Sequence, residues 1–393
     1  MRHCQAVEMK DLEDRTLLPI ISMIAFTVLS AAVFVVLPLL VGAMVERLGL
    51  TVQQAGLIAA ADMLGASVSA LGVSFILSRG HWRVVLICGI GLLTIADALS
   101  GLAQHFTPLF FTRIVAGLGE GVLLAIANAS IGETRNPDRV FGLSTAGQVA
   151  FGSPALYLMP SLLSAYGLRG VFWSLTALTA ASTFLVKHMP DGARLSGTST
   201  RQTAKPPLSA QSVIALAGVL TYFIAQGGVW AYLDRIGVAN QITMANVGTA
   251  LAISSIAGLL GASLSAWLGI RWGRLKPLLF ATLCTLVSLL ILNQNTTFVV
   301  FAAMVSLFNF AWNFSVPYQF GALAQIDPSR RTVALGGVVV FAGLTVGPVL
   351  AAAMVSESRF HNVNWMGIGF CILSFLFFGR ILMTMEQPRL ARP

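Results

Sequence analysis

Charge is what this chain has least of. Asp, Glu, Lys and Arg together make up 10% of its 393 residues, where soluble domains are nearer a quarter. Histidine is scarce too, and all five (His3, His81, His105, His188 and His361) fall in polar connections or tails rather than in apolar runs. The four cysteines (Cys4, Cys88, Cys284 and Cys371) form no CxxC or other metal spacing, so they read as small packing residues. No GxxxxGKS/T loop is present, which removes the usual means of gripping a nucleotide phosphate. These absences argue against a soluble domain, a metal site, a bound cofactor, an ATP-driven machine and an enzyme built on His, Ser or Cys chemistry. The first fifteen residues are polar and mixed in charge, unlike a cleavable signal peptide.

What the chain has instead is length of apolar sequence. Hydrophobic residues make up 56% and mean hydropathy is +0.82, which defines an integral membrane protein. A helix needs about 20 apolar residues to cross the hydrocarbon, and helices are the form in which a mostly apolar segment satisfies its own backbone there. The hydropathy pattern predicts twelve spans, near 17–43, 52–78, 84–103, 107–131, 141–163, 168–187, 212–233, 246–270, 275–293, 297–323, 332–355 and 364–385. The expected fold is all-α, with twelve transmembrane helices in two six-helix bundles. Residues 1–16 form an N-terminal tail, 17–187 the first bundle, 188–211 a polar linker, 212–385 the second bundle and 386–393 a short tail.

The basic residues set the expected orientation. With the N-terminus inside, 19 of the 24 Lys and Arg fall on the cytoplasmic side; Arg47, Arg169, Arg235 and Arg359 fall outside and Arg113 within the membrane. Both termini are therefore expected in the cytoplasm, in the inner membrane. The net charge of +9 is on this reading a topology signal and not a nucleic-acid surface. A monomer is expected.

The two halves repeat. Gly65-Ala-Ser-Val-Ser-Ala-Leu71 recurs as Gly261-Ala-Ser-Leu-Ser-Ala-Trp267, 196 residues on, and Glu46-Arg-Leu-Gly-Leu50 matches Asp234-Arg-Ile-Gly-Val238. Pro154 in span 5 pairs with Pro348 in span 11. Parallel repeats with a site between them are a transporter architecture.

With these features the chain resembles the major facilitator superfamily. Gly261 to Arg274, with Arg271 and Arg274 in its basic turn, resembles the family's loop motif. Its first-half counterpart, ending Ser78-Arg-Gly-His-Trp-Arg83, lacks the acidic residue usual before that turn. Arg113-xxx-Gly117-x-Gly119 resembles the family's membrane-embedded arginine motif, which implies proton coupling. Gly343-Leu-Thr-Val-Gly347-Pro348 resembles the Gly-Pro motif that antiporters carry in span 5, where this chain has a partial match. Asp327-Pro-Ser-Arg330 and Asn136-Pro-Asp-Arg139 resemble cytoplasmic cross-links. The resemblance implies gating roles for Gly117, Gly119, Arg271, Arg274, Asp327, Arg330, Gly347 and Pro348, and a cavity lined by spans 1, 4, 7 and 10.

Four charged residues fall inside predicted spans, all in the first half: Asp62, Asp97, Arg113 and Glu120. A charge at this depth costs at least about 2.5–3.5 kcal/mol and usually marks function or pairing. Arg113, Gly117 and Glu120 share a helix face. Asp97 and Arg113 lie at similar depth in adjacent spans and can pair, either to fix two helices or to couple protons. Glu120 is two turns below Arg113, about 10 Å by helix rise, and is expected to titrate separately, with Asp62 as second candidate. In the second half the polar groups are neutral: Tyr222, Gln226 and Trp230 in span 7, and Asn309, Trp312 and Asn313 in span 10. Amides and rings suit a mostly apolar organic substrate; the plainer alternative is hydrogen bonding between helices.

The expectation is a secondary transporter of a small organic molecule, working with protons, with export by antiport favoured. Uptake of an aromatic or organic-acid metabolite by symport is the alternative. A receptor is more remote, because the C-terminal tail is short.

Overall fold

The structure is a computed structural model that describes residues 2–76, 81–134, 136–189, 208–327, 331–355 and 360–390. Among these residues there is no strand, and eleven helices are long and apolar enough to cross a membrane. In chain order they are α1 (Arg2–Leu48), α2 (Val52–Ile76), α3 (Trp82–Leu102), α4 (Phe106–Gly132), α5 (Pro137–Ser182), α6 (Ala210–Ala239), α7 (Met244–Leu268), α8 (Leu275–Leu292), α9 (Phe298–Ile326), α10 (Arg331–Met354) and α11 (His361–Leu390).

The element α5 takes in both the fifth and the sixth expected spans, two helical stretches that meet at a kink. Its 46 residues would measure about 69 Å as a straight helix at 1.5 Å per residue, against a hydrocarbon thickness of about 30 Å. The element breaks at Gly167, whose φ of 62° and ψ of −163° are not helical and suit a residue without a Cβ. Beyond α5 a short 3-10 turn, Thr183–His188, leads to Met189. The Met189 carbonyl accepts from Arg83 Nη2 (2.9 Å) and Nε (3.2 Å) at the start of α3. The two ends of α5 thus return to one face, and the chain reverses at Gly167. We call the face that holds the start of α1 proximal and the other distal. Residues 190–207 of the expected linker lie outside the described residues.

The sequence repeat is also a repeat of packing. Each half is centred on a close helix pair, α2 against α4 and α7 against α9. A Cβ on Gly65 would collide with the carbonyl of Ile114, and one on Gly261 with that of Phe310. Gly65 to Gly261 and Ile114 to Phe310 are both steps of 196, so the same backbone contact occurs twice.

The apolar core shows how the halves meet. On the distal side one cluster crosses between them, with Leu37, Leu40 and Met44 of α1 and Ala55 and Ile58 of α2 beside Val229 and Leu233 of α6, Leu251 of α7 and Ala351 of α10. On the proximal side each half has a cluster largely its own, the second also taking in Met63 of α2. Phe26, Leu86 and Ile126 belong to the first half, and Val219, Leu278, Leu323 and Phe378 to the second. The halves are joined distally and part proximally.

Polar contacts reinforce the distal closure. Tyr232 Oη donates to the Val52 carbonyl (3.1 Å) and Gln53 Nε2 to that of Val355 (3.4 Å). In α1, Pro38 supplies no N–H to the carbonyl four residues back, which belongs to Phe34; the Trp230 indole N–H takes that place at 2.9 Å. Helix α6 runs on to Ala239, so Asp234 and Arg235, expected in a loop, are helical and buried. The reason is their pairing: Arg235 Nη2 lies 2.6 Å from Glu46 Oε1 and 2.7 Å from Asp234 Oδ2, against Gly42, where any Cβ would strike the Asp234 carboxylate. The two copies of the repeated Glu/Asp-Arg motif therefore meet across the halves.

An Arg235→Gln substitution removes the cation from this contact and should loosen the distal side. A cysteine placed at buried Ala55 should then be alkylated several-fold faster by a membrane-impermeant maleimide than in the Arg235 parent. Equal rates would mean that the ion pair does not hold this side shut.

Candidate functional site

Two polar features lie inside the molecule. In the first, Arg113 of α4 gathers three acids from three helices. Its Nη2 is 2.6 Å from Asp62 Oδ1 of α2, and its Nη1 is 2.6 Å from Asp97 Oδ1 of α3. Glu120 Oε1, on α4 itself, is 3.4 Å from Nη2. All four residues are about 1% exposed, and the guanidinium carbon stands 5.4 Å over the Phe172 ring of α5, a cation–π distance. Asp62 Oδ2 and Glu120 Oε2 are buried with no hydrogen-bond partner among the described residues.

The sequence places Glu120 too far from Arg113 for a direct contact, and the structure corrects this. The separation of about 10 Å is between helix positions, whereas two long side chains reach toward each other across it. Asp62, set beside the pair as a separate candidate, is bonded as closely as Asp97. The glycines explain how α4 comes so near. A Cβ on Gly117 would strike the Asp62 carbonyl, and one on Gly119 would lie 2.7 Å from the Gly89 carbonyl of α3. Helix α4 is thus sunk between α2 and α3.

The second feature is a cavity of about 370 Å³ between the halves. It lies on the proximal side of the shared core and is lined from α1, α5, α6, α7 and α9. Helix α4 contributes nothing, in contrast to the expected lining by span 4, because its charged face is turned into its own bundle. Trp312 occupies the centre of a group of edge-on rings: Phe34 at 6.1 Å, Phe223 at 6.3 Å, Trp230 at 6.2 Å and Phe308 at 6.2 Å between centroids. Edge-to-face pairs in this range are favourable. Asn309, Asn313 and Gln148 supply amides.

The six residues singled out for substrate divide. Trp230, Asn309, Trp312 and Asn313 line the cavity. Tyr222 and Gln226 do not; they are buried against α9 and α11. Tyr222 Oη and Ser315 Oγ are 2.7 Å apart, and Gln226 Nε2 approaches Cys371 Sγ at 3.8 Å. Phe34 and Gln148 were not singled out, although Gln148 stands inside the partial Gly147–Pro154 match and Phe34 stands four residues before Pro38.

The expected gating residues are dispersed. Gly347 packs α10 on α6, with a Cβ there 2.6 Å from the Ile224 carbonyl, and the Pro348 carbonyl faces Gly56 of α2. Arg271 stacks on Trp267, and Arg274 donates to Gln325 of α9. Asp327 Oδ2 accepts from the Thr332 N–H at 3.0 Å. Arg330 lies outside the described residues.

Two bundles of repeated sequence packed alike around one cavity, shut on one side and parted on the other, form the architecture of an alternating-access transporter. Comparison with known proteins agrees. Residues 22–238, more than half of the chain, match the Major Facilitator Superfamily, and the chain belongs to that family. It is a membrane transporter and not an enzyme. A probable 4-methylmuconolactone transporter of Cupriavidus pinatubonensis is 24% identical over 364 residues, covering 85% of this chain and 82% of that protein. Among solved structures, a D-xylose–proton symporter superposes with a TM-score of 0.75 at 16% identity, over 93% of this chain and 97% of the other. A nucleoside transporter superposes with a TM-score of 0.75 at 14% identity, over 93% and 99%. These likenesses concern the fold.

Proposed function

We propose that the chain carries a small organic metabolite through the central cavity by rocking its two halves, and that protons bound at Asp62, Asp97 and Glu120 drive the cycle. The observation that carries the proton reading is the composition of the buried cluster, three carboxyls around one guanidinium. Fully ionised, it would hold a surplus negative charge in a dry site, where an uncompensated charge is strongly disfavoured. Bound protons offset that surplus, and Asp62 Oδ2 and Glu120 Oε2, which lack partners, are seats for them. Any motion of α2 or α3 against α4 alters the distance from Arg113 to each acid and hence their hold on protons. We place the proximal face in the cytoplasm on the distribution of Lys and Arg, with the protein acting as a monomer in the inner membrane.

Export by antiport is favoured by the Gly347–Pro348 motif, set where α10 crosses α6 and α2. Import with protons of an aromatic or organic-acid metabolite is the second reading; the relative's name, a probable 4-methylmuconolactone transporter, gives a small organic cargo. Proteoliposomes decide between them. A panel that includes 4-methylmuconolactone is offered with an imposed pH gradient of either sense, and the sense that accumulates substrate gives the direction. In the same vesicles Glu120→Gln should lose gradient-driven accumulation and keep exchange of labelled for unlabelled substrate. Full accumulation by Glu120→Gln would remove Glu120 from the coupling site.

A further inference from the structure

The polarity of the cavity's hydrogen-bonding groups can be worked out from the helix contacts behind it. Ser254 Oγ donates its one proton to the Leu251 carbonyl at 2.8 Å, so it can meet Asn309 only as an acceptor. Asn309 therefore turns Nδ2 toward Ser254 (3.3 Å) and Oδ1 toward Asn313. Asn313 must answer with Nδ2, and it does so at 2.8 Å to Asn309 Oδ1 and 3.0 Å to the Asn309 carbonyl. The Asn313 amide nitrogen thus faces back along α9 to Asn309. The Asn313 amide oxygen, which makes no hydrogen bond among the described residues, is left to the cavity. Across the cavity Gln148 of α5 makes no hydrogen bond among the described residues either, so its amide is available both to give and to accept.

Charge is absent from this space. The described lining contains no Asp, Glu, Lys, Arg or His; the buried cation Arg113 is held by three carboxyls and turned away, and Arg235 is paired with Glu46 and Asp234. The repeat shows why the two halves differ. Stepping 196 residues from Asp62 and Arg113 leads to Gly258 and Asn309, and a Cβ on Gly258 would lie 2.9 Å from Asn309 Oδ1. The position that holds an ion pair in the first half holds a glycine and an amide in the second, and here it faces the cavity.

We infer that the cavity takes an electrically neutral, single-ring molecule that donates an O–H or N–H hydrogen bond to Asn313 Oδ1 and forms a second bond with the Gln148 amide of the opposite half. The inference rests on the cavity being the transport site, as proposed above, and names the class of its cargo. The volume is near the lower end of small-molecule pockets, about 300–1,000 Å³, which suits one ring. The rings around Trp312 supply the apolar wall, and no charged group of the described lining is there to repay the desolvation of an ionised ligand. An organic acid would enter in its neutral form, its carboxyl O–H being the donor to Asn313, so that one proton crosses with the substrate itself.

Calorimetric titration of the purified full chain at neutral pH tests this with four probes of one ring size. These are benzamide (neutral, with N–H donors), N,N-dimethylbenzamide (neutral, none), benzoate (anion) and benzylammonium (cation). Benzamide should bind most tightly. Loss of one hydrogen bond should weaken N,N-dimethylbenzamide by roughly tenfold, and the two ions should bind more weakly still. Asn313→Leu should erase the preference for benzamide over its dimethyl analogue. Asn313→Asp, which keeps the shape and the acceptor oxygens, should retain benzamide and gain benzylammonium; it decides the matter should the leucine variant not fold. Benzoate binding as tightly as benzamide, an absence of benzamide binding, or a donor preference that survives in a folded Asn313→Leu protein each overturns the inference. No gradient enters the measurement, so a failure of proton coupling would leave these affinities unchanged.

Discussion

An Arg113→Met protein is expected to be recovered poorly and to melt far below its parent. Methionine fills much of the same space, so the loss is one of charge rather than of packing. Three carboxyls from α2, α3 and α4 would then face one another with no cation, and removing one partner of a buried pair costs about 3–5 kcal/mol. The cost should be recoverable. Adding Asp62→Asn, Asp97→Asn and Glu120→Gln to Arg113→Met replaces the ionic centre with neutral groups of similar shape, and this quadruple variant should regain most of the lost melting temperature without regaining gradient-driven transport. An Arg113→Met protein that melts with its parent would show that the cluster is not held by ion pairing. Arg113→Lys should fall between, because a single ammonium cannot present the fork that reaches Asp62 and Asp97 from separate nitrogens.

A comparable loss is expected from Gly117→Val, for a reason of shape alone. The added side chain would be driven into the Asp62 carbonyl and would stand 2.9 Å from the Ala66 amide nitrogen. Both are backbone atoms of α2 and cannot swing aside. Overpacking ordinarily costs about 1–3 kcal/mol, and a rigid helix-to-helix contact belongs at or above the top of that range. Parting α2 from α4 also draws the Asp62 carboxylate off Arg113, so transport should fall to background even in the fraction that folds. Gly132→Ala is the matched control, since nothing lies within 4 Å of its added Cβ; its melting temperature and transport should stay at parental values. Equal behaviour of the two variants would sink the close-contact account.

The helices were legible in the sequence because lipid allows so few alternatives. Apolar length located each of the eleven helices to within a few residues at most ends. The exceptions have local causes. The break between spans 5 and 6 falls at Gly167, where the two expected spans part, whereas α6 outruns its apolar stretch because Asp234 and Arg235 are neutralised by each other and by Glu46. The offset of 196 residues carried more than it first declared, since it predicts which backbone atoms touch.

The site was legible in its chemistry and less so in its partners. Helical spacing assigns Arg113 to a face, but which acids that face meets depends on how deeply α4 sinks between α2 and α3, a consequence of Gly117 and Gly119 acting through neighbouring helices. The same limit applies to Tyr222 and Gln226. They share α6 with Trp230, yet a modest rotation about the helix axis separates a residue that meets the cavity from one that meets α9 or α11. Phe34 was hidden for another reason: what it gives the distal closure is a main-chain oxygen, released by a proline four residues away.

That oxygen belongs to a pattern with a thermodynamic consequence. The neutral cross-half hydrogen bonds of the distal closure run from side-chain donors (Trp230, Tyr232, Gln53 and Ser153) to backbone carbonyls. A carbonyl at a helix end or beside a proline is as well satisfied by water as by an indole or a phenol. When the distal side opens, such bonds are exchanged for hydration rather than lost, and the enthalpy of closure nearly cancels. What remains, beside the Arg235–Glu46 ion pair, to set the balance between the two states is the wetting of the apolar core around Leu40 and Leu233. A seal of this kind is sensitive to temperature and solutes through its heat capacity, more than to any one of its neutral hydrogen bonds.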